Sequence, residues 1–179
     1  MRRITTRQLT FAAMFAALAA LLSIYPFTFY LPDFSRITFR EIPIYLCSFA
    51  LGPVWGGLCA LVSDLIGTFI SNSGNAWNPM FAASAVLTGV LPGLLFRYVF
   101  KKEKLTLATT LSIIPVNIAV ALFLNTLWFQ LLGFTGGMPF WAHLLFRLLL
   151  VASLTAVQIV TVRYLYPVTM KGLKGGDHS

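Results

Sequence analysis

Positive charge in this chain is confined to short clusters, and long apolar stretches separate them. Only 18 of the 179 residues are charged, 13 of them Lys or Arg and 5 Asp or Glu. The basic clusters comprise Arg2, Arg3 and Arg7; Arg97, Lys101, Lys102 and Lys104; and Arg163, Lys171 and Lys174. A helix needs about 20 apolar residues to cross a bilayer, and basic clusters that recur after every second crossing mark the cytoplasmic side. The pattern therefore predicts an all-α integral membrane protein with six transmembrane helices and both termini cytoplasmic.

Turn-forming residues between the apolar stretches set the limits of the predicted helices. We expect one membrane domain, residues 1–179, with helices at about 9–25, 40–50, 54–70, 79–100, 105–132 and 140–166. The second helix is too short to span unaided, and Pro115 should kink the fifth. From Pro167 onward the chain is polar, and we expect it to fray. Residues 27–39, 71–78 and 133–139 are then the outer loops.

Composition excludes several classes of function. Hydrophobic residues make up 58% of the chain and charged residues 10%, whereas about a quarter of a soluble domain is charged. The net charge of +8 is explained by cytoplasmic loops that face anionic lipid, so we do not expect nucleic-acid binding. No nucleotide-binding loop, catalytic constellation or metal site is evident, since the histidines are only His143 and His178. We therefore predict no enzyme activity, cofactor or metal, and we expect Cys47 and Cys59 to be buried free thiols.

Five ionisable residues lie in the predicted outer half of the bundle, where a charge at membrane depth is costly and often functional. They are Arg36, Arg40, Glu41, Asp64 and Arg147. One interpretation is a packing network in which Asp64 pairs with Arg40 or Arg147. The other is a ligand site, because three arginines exceed what the nearby acids need for a static network.

Amide and indole side chains are predicted in the same outer layer. The candidates are Asn72, Trp77, Asn78, Asn125 and Trp128. With arginine, such groups suit a planar, hydrogen-bonding, anionic small molecule. An interfacial aromatic belt is the alternative for tryptophan, but Trp128 lies near Asn125, which favours a pocket there.

Small residues recur one turn apart on the first predicted helix. They are Ala12, Ala16 and Ala20 on one register, and Ala13 and Ala17 on the next. Such a stripe permits close packing with another helix, either inside the bundle or in a partner subunit.

Several longer segments carry a family resemblance. They are ITFREIPI at 37–44, FALGPVWG at 49–56, SDLIG at 63–67, SAVLTGVLPG at 84–93 and LNTLW at 124–128. Together they resemble the substrate-binding (S) components of energy-coupling factor transporters, most closely the folate-type subgroup. The resemblance covers roughly residues 6–166.

The resemblance implies a multi-pass protein of the prokaryotic cell membrane that captures a vitamin at the outer face with high affinity. A coupling transmembrane subunit and two cytoplasmic ATPases would be its partners. The family's alanine motif, which would contact the coupling subunit, falls on Ala12, Ala16 and Ala20 or on Ala13 and Ala17. Arg40 and the polar 72–78 segment depart from the folate-type pattern, so a queuosine precursor, cobalamin or another vitamin stays open as ligand. A solitary secondary transporter is the further alternative, although the predicted inner half of the bundle offers almost no polar path.

Overall fold

A computed structural model of the chain describes residues 5–24, 29–30, 36–70, 78–100, 103–133, 137 and 139–174, and it is nearly all helical. The helices are α1 (Thr6–Leu22), α2 (Glu41–Leu51), α3 (Pro53–Ile70), α4 (Pro79–Leu94), α5 (Leu105–Val116), α6 (Asn125–Leu131) and α7 (Phe140–Lys174). Between α1 and α2, two short antiparallel strands pair, β1 (Phe29–Tyr30) with β2 (Arg36–Ile37). The sequence predicted the helices but not this strand pair.

Four helical stretches are long and apolar enough to cross a membrane. They are Pro53–Ile70, Pro79–Val99, Leu105–Leu131 and Phe140–Leu173. The two shorter apolar helices are α1 with 17 residues and α2 with 11. At about 1.5 Å per residue, α2 covers roughly half of a hydrocarbon core. The count of six crossings, like the placement of both termini in the cytoplasm, therefore stays a prediction.

Prolines inside two of the long helices are followed by wider, π-helical turns. Pro92 precedes the π-helical Leu95–Val99 that continues α4, and Pro115 precedes the π-helical Asn117–Leu124 that joins α5 to α6. Proline offers no N–H and crowds the carbonyl four residues back, so a local change of winding relieves the helix. The disturbance predicted at Pro115 thus takes the form of an eight-residue π-helical segment.

The last helix is longer than predicted. α7 runs through Pro167 to Lys174, whereas the sequence predicted an end near residue 166 and a frayed tail. Contacts near its end account for the difference: the Arg7 guanidinium donates to the carbonyl of Gly172, and Leu173 packs on the core. A cation beside a C-terminal carbonyl also opposes the negative end of the helix dipole.

The hydrophobic core is formed by side chains of α1, α2 and α3 together with Ile113 of α5 and Val162 of α7. Ile44, Tyr45, Cys47 and Ile113 are almost fully enclosed there. Both cysteines are buried and free, as predicted. The large apolar side chains left exposed, such as Leu58, Phe69 and Leu149, suit contact with lipid.

The structure divides the alanine stripe of α1. Ala12, Ala16 and Ala20 are buried within the bundle beside Phe15, which favours internal packing for this register, and a partner contact through it stays a prediction. Ala13 and Ala17 lie on the exposed side of the helix and stay candidates for that contact. One residue of helical rotation, about 100°, separates the two registers, and only the packing partners decide which turns inward.

Basic side chains near the helix ends gather away from the predicted outer loops. Arg7 at the start of α1 meets the end of α7 at Gly172, and Arg97 packs over Gly52 at the turn between α2 and α3. Gly52 has a φ of 119°, a conformation that favours glycine. These positions agree with a shared side for the basic clusters.

Candidate ligand-binding site

An ion pair fastens the start of α2 to α3. The Nη1 atom of Arg40 donates to Oδ1 of Asp64 at 2.9 Å, and both side chains are buried. Nε of Arg40 also lies 3.6 Å from Oε1 of Glu41. Of the two pairings considered for Asp64, the structure contains the one with Arg40. The backbone N–H of Arg40 is itself held by the Thr38 hydroxyl at 3.3 Å, which fixes the entry into α2.

A cavity of about 110 Å³ lies beside this ion pair, between α2, α4, the π-helical segment and α7. One water occupies roughly 10–15 Å³ on the same kind of measure, so the space exceeds that of a single buried water. The polar or charged lining residues are Thr38, Arg40, Glu41, Ser84, Thr88, Asn117, Asn125, Arg147 and Gln158. Apolar side chains, among them Ile44, Phe81 and Leu154, complete the wall. A mixed lining with a few convergent polar groups is typical of small-molecule sites.

A network of amide and hydroxyl groups connects α2, the π-helical segment and α7. The Tyr45 hydroxyl donates to Oδ1 of Asn117 at 2.6 Å. Nδ2 of Asn117 donates to Oγ1 of Thr155 at 2.9 Å and to Oε1 of Gln158 at 2.7 Å. Asn117 and Gln158 both line the cavity, so this network orders part of its wall.

Arg147 enters the cavity from α7. Its Nη2 atom donates to the carbonyl of Ala121 at 3.0 Å, and its guanidinium lies 5.1 Å from the ring centroid of Phe129. Phe129 also packs against Phe81 and meets the ring of His143 edge-on, with centroids 5.1 Å and 5.9 Å away. Arg147 is therefore held by a carbonyl and an aromatic face rather than by Asp64.

Among the lining residues other than Arg147, three buried polar atoms have no hydrogen-bond partner in the described part of the chain. They are Nε of Arg40, Oε2 of Glu41 and Oδ1 of Asn125. Burying such a group without a partner costs on the order of 1–3 kcal/mol, and more when it is charged. The residues that line the cavity therefore include a Glu41 carboxylate oxygen and an Asn125 amide oxygen that have no partner, whereas Nε of Arg40 already lies 3.6 Å from Oε1 of Glu41.

Four predicted residues lie in or beside this cavity, and others do not. Arg40, Asn125 and Arg147 line it, while Asp64 stands one layer behind through Arg40. Trp128 is not among the lining residues, but its Nε1 donates to the lining Ser84 hydroxyl at 3.0 Å.

The structure describes the backbone of two of the remaining candidates and does not describe the other two. Asn78 caps α4, where its Oδ1 accepts from the backbone N–H of Met80 at 2.9 Å. The backbone of Arg36 lies in β2, and Asn72 and Trp77 lie outside the described residues. Their predicted roles remain predictions.

Sequence reasoning missed Asn117 and Gln158 and did not include Glu41 among the ligand-binding candidates. The two amides are isolated polar residues within long apolar stretches, and that position was the available signal. The rule that singled out Asp64 considered ionisable residues alone. Extended to amides, it would have found both.

These features define a class: a helical membrane protein with a small cavity of mixed polar and apolar lining between its helices. Residues 7–172 match the family described as the substrate-specific component of the ECF transporter, and the chain belongs to that family. Over 97 residues it is 31% identical to the folate transporter FolT of Clostridium novyi (strain NT), a match that spans about half, 54%, of each chain.

Solved structures share the fold. The crystal structure of a FolT bound with folic acid superposes with a TM-score of 0.75 at 24% identity, covering 93% of this chain and 98% of that one. The S component of a bacterial ECF transporter superposes at 0.51 with 19% identity, covering 97% and 99%. The fold predicted from the family resemblance is confirmed.

Proposed function

We propose that this chain is the high-affinity folate-binding subunit of an ECF-type importer. Family membership supports a substrate-binding role, and the relative named as a folate transporter supports the choice of vitamin. The solved FolT of the same fold holds folic acid. A planar pterin with donors and acceptors on its edges suits the small, mixed lining of the cavity.

The observation that carries the proposal is the set of unused buried polar atoms. Glu41 offers a carboxylate oxygen, and Asn125 offers an amide oxygen. Replacing these atoms with apolar groups would cost the ligand-free protein little stability, because an unpaired buried polar atom is itself unfavourable. A ligand that pairs with them recovers that cost on binding, which gives both affinity and selectivity for hydrogen-bonding rings.

The roles of the charged residues follow from their contacts. Glu41 can accept from the amino and ring N–H groups of a pterin, because its Oε2 atom has no hydrogen-bond partner among the described residues. Asp64 holds Arg40 in place through its 2.9 Å contact. Arg147 and Arg36 are the candidates to pair with the glutamate carboxylates of the ligand, because the guanidinium fork matches a carboxylate.

Release of the ligand requires partners in this proposal. A tightly held vitamin is not delivered against a gradient without work, and the chain has no nucleotide-binding loop. A coupling subunit and two cytoplasmic ATPases would supply that work at the cell membrane. Ala13 and Ala17 would form part of the contact with the coupling subunit, since they are the exposed small residues of α1.

The test is to purify the chain in detergent, identify any co-purified small molecule by mass spectrometry and titrate the stripped protein with folate. We expect folate to bind and to raise the melting temperature of the wild type. A different co-purified vitamin, with no folate binding, would overturn the choice of ligand. Concentrative folate uptake by liposomes that hold this chain alone would overturn the need for partners.

A further inference from the structure

The hydrogen bonds beneath the cavity determine which way the amide of Asn117 faces. Oγ1 of Thr155 lies 2.6 Å from the carbonyl oxygen of Val151, one turn earlier in α7. A carbonyl can only accept, so this contact uses the single hydroxyl proton of Thr155. The contact of 2.9 Å between Thr155 and Asn117 must therefore be a donation from Nδ2 of Asn117. Oδ1 of Asn117 then faces the Tyr45 hydroxyl, which donates to it at 2.6 Å.

The orientation of the Asn117 amide also fixes the orientation of the Gln158 amide. The second N–H of the Asn117 amide points at Gln158, 2.7 Å away, and only an oxygen can accept it. Gln158 therefore uses its Oε1 towards Asn117. Its NH₂ group, with two donors, has no hydrogen-bond partner among the described residues, and the residue lines the cavity although it is only 3% exposed.

We propose that Gln158 is a specificity-determining residue that donates a hydrogen bond to an acceptor on the ligand ring, and that Asn117 is the residue that positions it. The inference rests on the proposed folate-binding function and adds which side of the cavity donates a hydrogen bond to the ligand and which side accepts one. Glu41 supplies an acceptor on the α2 side of the cavity, and Gln158 supplies donors on the α7 side. The ring would then turn its amino and N–H groups towards Glu41 and its oxo oxygen or ring nitrogen towards Gln158.

A pair of ligands that differ at positions 3 and 4 of the pteridine tests the donor at Gln158. Folate has an N–H at position 3 and an oxo acceptor at position 4, whereas its 4-amino analogue aminopterin has an unprotonated ring nitrogen at position 3 and an amino donor at position 4. The change at position 3 falls on the Glu41 side and is the same for every variant below, since all of them keep Glu41. Two facing donors cannot pair, and both would lose their water on binding. We expect the wild type to bind folate at least about tenfold more tightly than aminopterin, which corresponds to about 1.4 kcal/mol.

Two substitutions should reverse this preference by different routes. Gln158→Glu keeps an oxygen for Asn117 but replaces the donors with a carboxylate oxygen. Asn117→Asp removes the N–H groups, so Gln158 must turn its NH₂ towards the new carboxylate and present its own oxygen to the cavity. Each should lower the ratio of aminopterin to folate dissociation constants by about tenfold or more. Gln130→Glu, the same chemical change at an exposed position of α6, is the matched control and should keep the wild-type ratio.

The ratio is measured by titration of purified, folded protein, with the melting temperature of each variant recorded alongside. A purely structural role for either residue would lower stability and leave the ratio unchanged. Wild-type protein that binds folate, with an unchanged ratio in whichever of the two variants folds, would overturn the direction assigned to Gln158 and leave the proposed function standing. Wild-type protein that binds neither compound would overturn both.

Discussion

Where α3 crosses α4, the two backbones touch, whereas at the cavity end the helices are joined through long polar side chains. A Cβ atom added to Gly89 would lie 2.3 Å from the carbonyl oxygen of Gly56, and the reverse addition would lie 2.5 Å from that of Gly89. The Ser48 hydroxyl seals the same crossing by donating to the Gly89 carbonyl at 2.6 Å. At the other end, the 2.9 Å contact between Arg40 and Asp64 connects α2 with α3.

The comparison shows how one small bundle can combine a closely packed region with a cavity for a ligand. Close backbone contact leaves no room for water or ligand, so the α3–α4 crossing serves stability alone. At the cavity end, charged and amide side chains separate the helices. They leave a space whose lining residues include polar atoms without hydrogen-bond partners among the described residues. We expect substitutions at the crossing to change stability, and those at the cavity to change stability and affinity in separable ways.

The largest effect is expected from breaking the buried ion pair. Asp64→Ala leaves Arg40 buried without its closest partner, and we expect a loss of about 3–5 kcal/mol in unfolding free energy. Exchanging all three charged residues together, Arg40→Met with Asp64→Leu and Glu41→Gln, should recover most of that loss, because no unpaired charge remains. Thermal or denaturant unfolding in detergent measures both, with Arg163→Gln as the exposed control. If Asp64→Ala is as stable as the wild type, the ion pair does not hold the cavity end of the bundle together.

The next effect concerns the helix crossing. Gly89→Ala forces the α3 and α4 backbones apart, at an expected cost of about 1–3 kcal/mol or more. The folded fraction should bind ligand with wild-type affinity, because Gly89 does not line the cavity. Gly172→Ala is the matched control, since its Cβ would make only an ordinary contact with Phe11 at 3.4 Å and should not destabilise. Equal melting temperatures for the two variants would refute close packing at the crossing.

A third variant separates affinity from stability. Asn125→Ala removes a buried oxygen that has no partner among the described residues, so the ligand-free protein should lose little stability. Affinity for folate should fall by about 1–2 kcal/mol if the ligand donates to that oxygen. Asn78→Ala is the counterpart: it removes the α4 cap and should cost about 1 kcal/mol of stability, and unchanged affinity would limit Asn78 to that capping role. The opposite pattern, with Asn125→Ala unstable but binding normally, would make Asn125 a packing residue.

The smallest effect on the isolated chain is expected on the exposed side of α1. Ala17→Leu should change stability by no more than about 0.5 kcal/mol, yet reduce co-purification with a coupling subunit. Ala16→Leu places the same bulk inside the bundle and should cost about 1–3 kcal/mol. If Ala17→Leu leaves assembly intact, the exposed alanines contact lipid rather than a partner.

The sequence indicated the all-helical membrane fold because apolar stretches and turn residues encode helices locally. It also brought Arg40, Asn125 and Arg147 to one layer, since the ends of consecutive helices must alternate between two sides. It placed neither the end of α7 nor the pairing of β1 with β2, because both depend on contacts between distant segments. The segment length of α2 was correct to within a residue, yet length alone could not say whether that helix crosses the membrane.

Which residues share the cavity was decided by the tertiary structure. The sequence gives the spacing of Ala12 and Ala13 but not the rotation of α1, and only packing on α2 and α3 turned Ala12 inward. In the same way, Asp64 could have paired with Arg40 or Arg147, and their positions along separate helices allowed either. The distance of 2.9 Å to Arg40 and the carbonyl of Ala121 against Arg147 settled the pairing, because such contacts depend on how helices pack rather than on what each encodes.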